Sequence, residues 1–158
     1  MEADKVAVKG DWLIRAKRED VYDIFSNWER MPENFPRVAR SVKILETNGT
    51  HLKVRSVAAS FARFLPGARI NIDVELLPGR GYRCRTFNTT FNTTGEEELL
   101  LVDDPEGTRI QYTYFVTVRN RKWRWLYAWL VKTFGLPFWK RAVIDRVPQL
   151  IANKQTSN

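Results

Sequence analysis

Cysteine and histidine are nearly missing from this chain: Cys84 and His51 are the sole members of their types in 158 residues. One thiol cannot close an internal disulfide, and one thiol with one imidazole cannot supply a cysteine- or histidine-based metal cluster. No histidine-dependent triad and no Gly-rich phosphate loop can be drawn either. Long apolar runs are also wanting. A membrane-spanning helix needs ~20 apolar residues, and the best candidate, Trp125 to Val131, is stopped by Lys132. The opening MEADKVAVKG has no continuous apolar run of the kind a secretory signal needs, so the sequons at Asn48, Asn88 and Asn92 are expected to stay unmodified. These absences predict a soluble, cytoplasmic protein with no metal and no cofactor.

What is present is unevenly placed. Hydrophobic residues make up 44% and charged residues 28%, values that suit one globular domain spanning residues 1–158. Between Arg119 and Arg146 lie Arg119, Arg121, Lys122, Arg124, Lys132, Lys140, Arg141 and Arg146 against Asp145 alone, so this span supplies +7 of the net +8. Trp123, Trp125, Trp129 and Trp139, four of the six tryptophans, fall in it as well. The basic character belongs to one segment.

Periodicity assigns the elements. VAVKGDWLIRA alternates as a strand, with Val6 and Val8 on one side, then Trp12 and Ile14. Val21, Ile24, Phe25 and Trp28 stand at helical spacing, with Glu19 and Asp20 at the favourable N-terminal end. Pro32 and Pro36 confine a second short helix to about Glu29–Phe35. Strands follow: a hairpin about Asn48-Gly49, the amphipathic RINIDVELL, GYRCRTFN, EEELLLV and TRIQYTYFVTV, with NTTFNTT as a connection. After Asn120 the period becomes helical. Gly135 and Pro137 are expected to interrupt this last helix, and Pro148 to kink it or mark its end.

The stretch IRAKREDVYDIFSNWERMPENFPRVARSVKIL, from Ile14 to Leu45, resembles the START-like superfamily, which includes polyketide cyclase/dehydrase proteins, coenzyme Q-binding proteins and the birch-pollen-allergen group. GYRCRTFN is similar to a middle strand of that superfamily, and DPEGTRIQYTYFV to its turn, Gly-Thr-Arg and long strand. The resemblance covers nearly the whole chain. It implies an α+β helix-grip fold: a curved antiparallel sheet of about seven strands wrapped around a long C-terminal helix, with two short helices after the first strand. It also implies a cavity between sheet and helix. The expected function is binding, or transport, of a hydrophobic small molecule such as a lipid, quinone or polyketide. The alternative is a polyketide aromatase/cyclase acting on a chain held in the same cavity.

Strand alternation gives the candidate lining: Val54, Ser56, Ile72, Val74, Tyr82, Cys84, Thr86, Tyr112 and Tyr114, facing Trp139, Val143 and Val147 on the helix, with Trp28 and Phe35 at one end. The same residues would also serve as a closed core, and a slip of one residue would exchange the faces of a strand. Phe61 and Phe64, with Leu65, form a cluster that suits a lid or a satellite of the core. Arg119, Arg121, Lys122, Trp123, Arg124, Trp125, Trp129 and Lys132 combine the cations and aromatic rings that dock on an anionic membrane. A solvated basic face with core tryptophans is the other reading. Nucleic acid is the less favoured partner, because no recognisable module accompanies the charge. No catalytic residue is assigned, although Arg83, Arg85 and Tyr114 are the groups a cyclase would draw on. Oligomeric state is open.

Overall fold

The computed structural model describes residues 5–59, 67–119, 121–122 and 124–157. Seven strands form one antiparallel sheet: β1 (Lys5–Ile14), β2 (Ala39–Asn48), β3 (His51–Ala58), β4 (Arg69–Leu77), β5 (Gly81–Asn88), β6 (Thr93–Asp104) and β7 (Gly107–Val118). The spatial order is β1-β7-β6-β5-β4-β3-β2, a meander whose last strand pairs with the first. Hydrophobic alternation fixes this register. Along β1 the inward set is Val6, Val8, Trp12 and Ile14; along β6 it is Thr93, Gly95, Glu97, Leu99 and Leu101. The opposite face carries charges in cross-strand rows, such as Lys53–Asp73–Arg85–Glu96. Pairs such as Lys53–Glu46 at 2.9 Å are exposed and add little stability individually.

Helix α1 (Arg18–Ser26) buries Val21, Ile24 and Phe25. It ends two residues short of Trp28, because Asn27 leaves helical geometry and its side chain accepts from the Arg30 amide, capping a 3-10 turn at Trp28–Arg30. Trp28 is nevertheless buried. The second short helix is accordingly split into that turn and α2 (Met31–Asn34), with Pro32 in its first turn, where a missing N–H costs nothing.

The C-terminal helix departs from expectation in where it breaks. Gly135 and Pro137 do not interrupt it. Helix α3 (Arg124–Leu130) passes through a π turn (Val131–Gly135) into α4 (Leu136–Ala142), with Gly135 at an ordinary right-handed φ of −60° and Pro137 in the first turn of α4. The break falls at Val143 (φ −123°, ψ −66°), followed by a 3-10 turn at Ile144–Arg146 and α5 (Val147–Thr156). Pro148 lies in the first turn of α5, so it starts a new segment rather than bending an old one. Val147 and Ile151 join the core, and Lys154 pairs with Asp23 of α1 at 2.8 Å.

The corner between β1 and α1 is pinned by the start of β7. Gly107 has φ +147°, and a Cβ there would stand 2.2 Å from the Ile14 carbonyl oxygen. Thr108, fully buried, donates from its hydroxyl to the Ala16 carbonyl at 2.8 Å. Gly79 also has positive φ, +69°, but a Cβ there would meet nothing within 4 Å. Gly79→Ala should therefore cost about 1–2 kcal/mol of backbone strain, and Gly107→Ala about 3 kcal/mol or more, since strain and collision add. Urea unfolding of the two variants measures the gap; equal losses would contradict the close approach at Gly107.

Candidate functional site

The inner face of the sheet and the gripping helix do not meet everywhere. Between them lies a cavity of about 350 Å³. Of the residues expected to line it, Trp28, Phe35, Ser56, Ile72, Tyr82, Cys84, Thr86, Tyr112, Tyr114, Trp139 and Val143 stand on its wall. Val54, Val74 and Val147 do not, and pack instead within the buried core cluster. Phe61, Phe64 and Leu65 lie outside the described residues, as does Trp123. Alternation along β5 that turns Tyr82, Cys84 and Thr86 inward turns Arg83 and Arg85 outward, where Arg83 pairs with Glu98. The two arginines are therefore remote from the cavity. The helix wall also includes Tyr127, Val131 and Leu136.

A larger groove of about 780 Å³ crosses the outer sheet face. It is open and lined largely by charged side chains, including Glu46, Lys53, Asp73, Glu75, Arg83, Arg85 and Glu98. The smaller cavity is better suited to an apolar molecule, because its wall is mostly aromatic and aliphatic.

The inner wall carries one carboxyl group, Glu97, absent from the sequence-based candidates. Register places it between Cys84 on β5 and Tyr114 on β7, while Tyr82 and Tyr112 flank Leu99 in the next row. Both tyrosines reach back to it. The Tyr82 hydroxyl donates to Glu97 Oε1, and the Tyr112 hydroxyl donates to Oε2 at 3.2 Å. Burial raises the Glu97 pKa above its ordinary value of 4.5, opposed by these two hydrogen bonds to the charged form. Burial, then the neighbouring Glu97 charge, pushes the Tyr82 and Tyr112 phenols and the Cys84 thiol well above their usual ranges. Cys84 is thus held in its neutral thiol form. The signal for Glu97 was available in the frame of β6: if Leu99 and Leu101 face inward, a period of two brings Glu97 with them and sends Glu96 and Glu98 outside.

Aromatic rings complete the box. Tyr112 stacks on Trp139 with centroids 4.8 Å apart, and Trp28 meets Tyr82 edge-on at 5.2 Å. Gly95 leaves room for Tyr114, since a Cβ there would lie 2.9 Å from its ring. The indole N–H groups of Trp28 and Trp139 are buried with no acceptor among the described residues, a cost of about 1–3 kcal/mol each unless something accepts from them. The cavity wall therefore includes two tryptophans whose indole N–H groups lack partners, and one carboxyl group, among mostly aromatic and aliphatic residues. Among the described residues there is no group of side chains able to hold a metal ion.

Comparison with known proteins begins with sequence: no protein-family model matches the chain, and no curated protein does. Structure is more informative. The Zhui aromatase/cyclase from Streptomyces sp. R1128 superposes with a TM-score of 0.76 at 16% identity, covering 95% of each chain. A protein from Thermus thermophilus superposes with a TM-score of 0.70 at 18% identity, over 95% of this chain and 98% of that one. Norcoclaurine synthase from Thalictrum flavum gives 0.69 at 11% identity, over 96% of both. The chain thus has the helix-grip fold of the START-like proteins, as its sequence resemblance implied. At these identities the likeness extends to the fold alone.

The raised pKa of Glu97 fixes the sign of a pH effect. The folded protein holds this proton more tightly than the unfolded chain. Below the unfolded value of about 4.5 both states are protonated and burial carries no charge penalty; above the folded value the penalty is complete. Glu97→Gln removes the charge, so its stability relative to the parent should rise as pH climbs from about 4.5 through the elevated folded pKa. Denaturant titrations at acidic and neutral pH measure this difference; a constant gap, or one that moves the other way, contradicts a strained carboxylate.

Proposed function

We propose that this protein binds a hydrophobic small molecule bearing at least one oxygen, held in the cavity between the inner sheet face and the gripping helix. The observation that carries the reading is the pairing of an apolar, aromatic wall with the partnerless indole N–H groups of Trp28 and Trp139. An oxygen acceptor on the ligand satisfies a donor that otherwise stays unpaired, and the rings supply the remaining contact area. A lipid, quinone or polyketide, for release elsewhere or for storage, has this character.

A second reading is supported by Glu97. A carboxyl group with a raised pKa, linked to two phenols on the wall of a mostly apolar cavity, can accept a proton from carbon next to a ketone and return it to oxygen. That is the chemistry an aromatase/cyclase requires, and three structural neighbours are named as such enzymes. In this reading Glu97 and the tyrosines, rather than Arg83 or Arg85, serve the reaction. Conversion of a reactive poly-β-ketone should then depend on pH through one carboxyl, and Glu97→Gln should remove that dependence.

Two probes of nearly equal shape, a naphthol and naphthalene, test the binding reading. Quenching of tryptophan fluorescence should report tighter binding of the naphthol by about tenfold, the worth of one well-placed hydrogen bond to a buried donor. Trp139→Phe keeps the ring stacked on Tyr112 but removes its N–H, and the preference should shrink. Uptake of neither probe would contradict a ligand cavity; equal uptake would contradict a role for the polar groups.

A further inference from the structure

The face of the gripping helix that points away from the cavity is as unusual as the one that lines it. Trp125, Trp129, Phe134 and Phe138 are 71%, 54%, 55% and 40% exposed. Their spacing is four, five and four residues, with the long step across the π turn, which advances less per residue than an α-helix. That turn keeps the four rings in one stripe where a regular α-helix would rotate Phe134 aside. Trp129 and Phe134 touch edge-to-face at 5.7 Å, and the Arg37 guanidinium lies 5.7 Å from the Phe138 ring. Large exposed aromatic surface on a water-facing helix is costly unless something covers it.

Charge identifies the cover. From Arg119 to Arg141 the chain has seven basic residues and no Asp or Glu. Arg119, Arg121, Lys122, Lys132, Lys140 and Arg141 are exposed. A second copy of this chain would bring the same positive segment against its own image in a twofold contact, where like charges oppose association. An anionic lipid bilayer offers the complement to both features: headgroup phosphates for the cations, and an interfacial layer in which Trp and Phe rings settle. We propose that the stripe from Trp125 to Phe138, with its basic flank, docks this protein on an anionic membrane surface.

The placement gives docking a consequence. Tyr127 and Val131, on the opposite side of the same helix, line the cavity. At the end of the sheet where β7 leads into this helix, Val118 pairs with Thr93, which puts the β5–β6 turn and its exposed Phe91 at that same end. Cavity residues Ser56, Ala58, Asn88 and Thr93 also belong to that end. A bilayer against the stripe would therefore adjoin the helix that forms one wall of the cavity.

Flotation with phosphatidylcholine vesicles, with and without phosphatidylserine, tests the proposal on the full chain. The protein should float with the anionic vesicles alone, and attachment should weaken at least about tenfold when salt rises from ~0.1 M to ~0.5 M. Trp125→Ser with Trp129→Ser, and separately Arg121→Glu with Lys132→Glu, should each lower attachment by about tenfold or more. All four positions are exposed, so the thermal midpoint should not move. Equal binding to both vesicle types, no binding, or unchanged flotation of the variants would overturn the proposal. So would a dimer that the double tryptophan variant loses, or binding to a single-stranded oligonucleotide with vesicles left untouched.

Discussion

Tyr82 and Tyr112 hold the carboxyl group of Glu97 on the inner face of the sheet, and much of the interior is arranged around that contact. A buried carboxylate without partners would cost several kcal/mol. Two phenols from the neighbouring strands reduce the cost without cancelling it, because burial still raises the Glu97 pKa. The phenols are fixed in turn by rings: Tyr112 by Trp139 of the helix, and Tyr82 by Trp28 at the end of the first helical corner. The polar contact thus ties β5, β6 and β7 to the elements that close over them.

The gripping helix is amphipathic in an unusual sense, apolar on two sides for two different reasons. One side lines the cavity through Tyr127, Val131, Leu136 and Trp139. The other exposes Trp125, Trp129, Phe134 and Phe138 beside a dense set of cations. The π turn at Val131–Gly135 serves both sides, since it shifts the register once and keeps each stripe continuous. Among the described residues no helix is long and apolar enough to cross a membrane; a surface contact needs neither property.

Much of the fold was legible because β-strands in a half-buried sheet carry a period of two. The alternation in RINIDVELL and TRIQYTYFVTV gave the faces of β4 and β7 directly. Helix boundaries were less legible. Asn27 ends α1 through its own φ and ψ and a side-chain cap, and Gly135 keeps an ordinary helical φ of −60° inside a π turn, features that composition does not encode. Of the cavity, the aromatic wall was readable and the carboxyl group was not, since a triplet of glutamates looks like solvent-facing strand until its frame is taken from Leu99 and Leu101. Val54, Val74 and Val147 show the converse limit: alternation tells which face a residue is on, whereas cavity or core depends on how far the helix stands off the sheet.

Carboxyl-carbon NMR of Glu97, followed across pH before and after the cavity is filled with a naphthol, tests the central claim most directly. A polar group held in a ligand site should titrate above the ordinary glutamate value of 4.5, and its resonance and midpoint should move when the cavity is occupied. Titration at the ordinary value, unaffected by the probe, would contradict both the buried carboxyl group and the site built around it.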